Sequence, residues 1–64
     1  MLNKDLKVVC QALSRFERTY GKRSDIFFKE YQVGIAGDDL VFIEWAAIVM
    51  MRDRLLAELA ALQA

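Results

Sequence analysis

The sequence predicts an all-α fold in which two long helices flank a short one and the unit dimerises or oligomerises into a helical bundle. Three observations carry this. The chain has no proline, only three glycines punctuate it, and apolar residues recur every three or four positions, the period of one helix face.

The first helix is predicted over residues 2–20. Leu2, Leu6, Val9, Leu13, Phe16 and Tyr20 are spaced 4, 3, 4, 3 and 4 apart, which aligns six apolar side chains on one stripe. Gly21 follows the last of them, where a left-handed C-terminal cap favours glycine. A short connection then leads to a second helix over 24–33, with Ser24 as its expected cap and Asp25 in the first turn, at the positive end of the helix dipole. On it Phe27 and Tyr31 share a face, with Phe28 beside them.

Gly34 and Gly37 mark a break, and Asp38 or Asp39 is a suitable N-cap for a third helix over 38–63, rich in Ala and Leu. One stripe on it reads Val41, Trp45, Ile48, Arg52, Leu55, Leu59 and Leu62, widened by Phe42, Val49, Leu56 and Ala60. At 100° per residue, Ile43, Ala46 and Met50 point away from that stripe. In the twelve residues from Leu40 to Met51 only Glu44 is polar. A helix apolar all round is buried all round, and two neighbouring helices cannot cover every side of it. An interface with another chain is the expected destination, and a dimer the expected state.

Length supports the same expectation. Sixty-four residues make one domain, 1–64, and a chain this short buries only about 60% of its unfolded surface. Below roughly 70 to 80 residues a domain usually adds a disulfide, a metal or a second chain. One cysteine, Cys10, allows no internal disulfide, and the absence of histidine removes the common zinc sets. Counting Gly but not Tyr, 37 of 64 residues are apolar, above the usual 45 to 50%. A membrane is not the expected destination: a span needs about 20 apolar residues. The opening MLNKDLKVVCQAL interrupts any apolar core with Asp5 and Gln11, so it does not read as a signal peptide, and a cytosolic protein is expected.

Net charge is zero, yet residues 1–32 carry seven Lys/Arg against four Asp/Glu, and residues 33–64 carry two against five. Halves of +3 and −3 can hold helices, or two chains, against each other, and they argue against a strongly basic nucleic-acid binder.

Individual residues sort against simpler readings. Lys4, Lys7, Arg15 and Arg18 form a row opposite the leucine stripe, a possible track for phosphates, but a solvated helix face explains them too. Asp38 and Asp39 suit capping better than a cation site shared with Glu44, which would need more oxygen ligands; no metal or other cofactor is expected. Glu44, set among apolar residues, needs a cation or a donor, and Arg52 poses the opposite problem on the apolar stripe. Eight residues apart, about 12 Å along the axis, they do not meet within one helix, whereas they could across a dimer. Trp45 fits the core, while Val41, Ile43, Glu44, Met50, Met51 and Arg52, together with Trp45, are the candidate contacts of a partner or oligomer interface. Cys10, at the stripe's edge, reads as a small buried hydrophobe without a base to activate it. Catalysis is not expected.

The segments FERTYG (16–21), SDIFFKEYQVG (24–34) and GDDLVFIEW (37–45) together resemble a pattern in small helical bacterial and archaeal proteins with F-E-x-x-Y-G and G-D-D-x-x-F-x-E-W segments. Those proteins look like antitoxin components of toxin–antitoxin pairs. The resemblance covers residues 16–45 and implies that the chain binds and silences a cognate toxin, often a ribonuclease. It assigns no role to an individual residue.

Overall fold

The computed structural model describes residues 2–63, and side chains from Lys4 onward. Three helices, α1 (Leu2–Tyr20), α2 (Ser24–Gln32) and α3 (Leu40–Gln63), pack together, with no strand among the described residues. The 24 residues of α3 at 1.5 Å rise match the longest dimension of the molecule, 36 Å. Among the described residues, no helix is long and apolar enough to cross a membrane.

The two turns are built from glycine. Gly21 has φ +64° and its amide donates to the Glu17 carbonyl (2.8 Å), which closes α1 with a left-handed cap. At the end of α2 the Gly34 amide donates to Tyr31 O and the Ile35 amide to Glu30 O. That pair of bonds is a Schellman closure, and it requires the positive φ (+85°) that Gly34 adopts. Helix α3 begins at Leu40, two residues later than the spacing predicts: the Asp39 carbonyl accepts from both Phe42 and Ile43, so Asp39 holds the N-cap position and Asp38 lies outside.

Ser24 does not cap α2. The residue before the helix is Arg23, extended and without a side-chain cap bond, and Ser24 is instead the one buried polar residue among those described. Its amide donates to Glu17 Oε2 (2.9 Å) and its hydroxyl accepts from Trp45 Nε1 (3.0 Å). Glu17, on α1, thus supplies the cap from seven residues upstream, and the buried indole N–H gains the acceptor it requires. Glu17→Ala is expected to lower stability by about 1 kcal/mol by orphaning that amide, read as a shift in urea midpoint at unchanged slope.

The core is Val9, Leu13, Phe27, Trp45, Ala46 and Val49. Trp45 gathers one aromatic or more from each of the other helices: it stacks on Phe27 of α2 (centroids 3.8 Å, 4° between planes) and on Phe16 (5.4 Å, 9°) and Tyr20 (5.6 Å, 25°) of α1. Offset stacking of this kind contributes beyond area burial.

Two expectations need correction. Ala46, expected to face away with Ile43 and Met50, is buried. The covered arc of α3 runs from Trp45 through Val49 to Ala46, centred to one side of the leucine-type stripe, because α2 as well as α1 packs against it. Cys10 is exposed rather than buried, since it sits 100° from buried Val9 on α1.

Candidate protein-interaction site

On α3 the apolar ring divides. Trp45, Ala46 and Val49 are buried, Val41, Phe42 and Ile48 are half-buried, and Leu40 (83% exposed), Ile43 (46%), Met50 (52%) and Met51 (51%) face outward with Ala47 between them. Leu40, Ile43, Ala47 and Met50 fall within an arc of about 80°, forming one apolar strip along the first three turns. The strip ends where Arg54 pairs with Glu58 (3.4 Å) across one turn, a solvated arrangement. Scattered exposed apolar residues are ordinary; these four are contiguous on one helix face.

Beside this strip, a groove of about 270 Å³ runs between α1 and α3, floored by Ala12, Phe16, Val41 and Ile48 and edged by Arg15, Thr19, Tyr20 and Glu44. Arg15 and Glu44 both border it, yet neither has an ion-pair partner among the described residues. The groove is apolar within and carries one charge of each sign at its edge.

The predicted contact residues therefore separate. Ile43, Met50 and Met51 are on the outward surface, and exposed Glu44 and half-buried Val41 border the groove. Trp45 is removed from the available surface by its burial, so its role is in the core. Arg52 finds a carboxylate within its own chain: its Nε and Nη2 donate to Asp53 Oδ1 (3.2 and 3.1 Å), while its side chain borders α1 beside Leu13 and Glu17. Leu40 and Ala47 belong to the outward strip and escape the period-based reading, because spacing alone does not say which side the other helices cover.

Lys4, Lys7, Arg15 and Arg18 share an exposed face of α1, without an aromatic among them. No group of three His, Cys, Asp or Glu among the described residues is placed to hold a metal. The aromatic and glycine positions that carry the antitoxin resemblance, Phe16, Tyr20, Gly21, Gly34, Phe42 and Trp45, are occupied in making turns and core. No family model, curated protein or solved structure matches the chain.

Proposed function

We propose that this protein is a non-enzymatic binding module whose α3 docks onto a partner protein through Leu40, Ile43, Ala47 and Met50. The carrying observation is the apolar strip those residues form on a helix whose opposite side is packed in the core. Methionine at its end suits an adaptable contact, being unbranched and polarizable. Within this class the resemblance of residues 16–45 favours an antitoxin-like inhibitor of a toxin, a ribonuclease being the first candidate, encoded beside it. The test is reconstitution of the protein with the product of the adjacent gene. Wild type is expected to form a stoichiometric complex and suppress that product's activity, and Ile43→Asp with Met50→Asp to abolish both.

A structural homo-oligomer without a foreign partner is the second reading, favoured by the groove that borders the strip. Nucleic-acid binding through Lys4, Lys7, Arg15 and Arg18 is the third and weakest, since the row stands on a chain of zero net charge. Titration with duplex DNA and with RNA at low salt is expected to show no binding of the steep salt dependence that phosphate contacts produce. A slope that disappears in a Lys4→Ala, Lys7→Ala, Arg18→Ala variant would reverse that ranking.

A further inference from the structure

We infer that the groove between α1 and α3 is occupied by a second copy of this chain, packed antiparallel about a two-fold axis that passes close to Glu44. On α3 the groove residues Val41, Glu44 and Ile48 continue along the same face into Met51 and Leu55, at spacings of 3, 4, 3 and 4, the seam spacing of two helices packed side by side. Val41, Ile48 and Leu55 are only half covered by their own chain and Met51 is exposed, so the seam is apolar and incomplete. Glu44 lies in it, flanked by apolar residues three and four positions away on each side.

Charge identifies the occupant. A two-fold interface presents the same patch twice, so every group must meet its complement within that one patch. Arg15 and Glu44 stand at the edge of a single groove and are free of ion pairs among the described residues. With the axis between Glu44 and Trp45, Val41 of each copy meets Ile48 of the other, the two Glu44 carboxylates come close across the axis, and Arg15 of each copy reaches over to neutralise Glu44 of the other. The neighbour's α3, from the anionic half, then lies against α1, from the cationic half, as well as against α3. It also supplies what the packed unit lacks: six buried hydrophobic side chains make its core, with one cysteine in the chain and no metal cluster among the described residues. A lone acidic residue in an apolar seam fixes register more than it adds stability.

This rests on the reading of α3 as an interaction helix, but it uses a different flank from Ile43 and Met50, so the two can fail separately. The experiment is light scattering after size exclusion over a concentration series, with circular dichroism as the folding check. Wild type is expected to be a dimer. Arg15→Glu alone and Glu44→Arg alone each place like charges together at two sites, and each is expected to weaken dimerisation at least about tenfold. Mixed in equal amounts, the two single variants should form a heterodimer, because every charge then faces its opposite across the axis. A wild type that stays monomeric overturns the inference, as does a dimer indifferent to either reversal, which places self-association on another face. If instead the protein is monomeric alone and Glu44→Arg abolishes binding of the foreign partner, the groove belongs to that partner and the two-fold model is wrong.

Discussion

Trp45→Ala is expected to leave the chain largely unfolded at room temperature. Truncating a buried aromatic costs about 3 to 5 kcal/mol, and a single core in a domain this small seldom supplies more than about that. Trp45 is the hub of the aromatic cluster: Phe27, Phe16 and Tyr20 stack on it, Phe27 and Tyr20 also meet Phe42, and Ser24 accepts its indole proton. Its loss removes the plate on which α2 stacks and leaves α2 tied to the long helices by the Ser24–Glu17 bond and the Phe27–Phe42 contact. Trp45→Phe keeps an aromatic plate but removes the donor to Ser24, and a loss nearer 1 to 2 kcal/mol is expected. Helical circular dichroism through a urea series separates the cases. The wild type and Trp45→Phe should show cooperative transitions, and Trp45→Ala a weak sloping signal. A cooperative Trp45→Ala transition near the wild-type midpoint would show that the stacked aromatics are not what holds the three helices together.

The second large effect is on binding. Ile43→Asp combined with Met50→Asp is expected to lower partner affinity by at least about 30-fold, since losing two apolar contacts of a docking face typically costs about 2 kcal/mol or more. Both side chains are about half exposed in the free chain, so the fold should change little; surface substitutions usually stay within about 0.5 kcal/mol, to which Asp in a helix adds a few tenths. Titration of the purified partner, alongside a denaturation curve, distinguishes a lost surface from a lost fold. Equal affinity of the double variant and wild type would exclude this strip from the interface.

Helix identity was legible in the residues because the period is clean. The bounds of α1 agree with the spacing of Leu2 to Tyr20, and Gly21 and Gly34 stand where positive φ is needed. At the start of α3 two adjacent aspartates offer equivalent caps, and only the backbone decides for Asp39. The Ser24 assignment failed for a different reason. Capping rules are local, whereas Glu17 reaches Ser24 across a turn, and the buried indole of Trp45 claims the hydroxyl from 21 residues away. The all-round apolar segment of α3 announced that some surface would remain uncovered, but not which. Ala46 lies under the other helices and Leu40 outside them, a division set by the direction from which α2 packs. Nor does spacing within α3 reveal that Arg15, on another helix, would stand across a groove from Glu44.

The central claim is that α3 meets other chains as well as its own. Its most direct test is the molar mass of the purified protein in solution, by light scattering after size exclusion, alone and then mixed with the adjacent gene's product. The expected result is a dimer that takes up the partner in fixed stoichiometry. A monomer at every concentration, unchanged in mass by the partner, would contradict it.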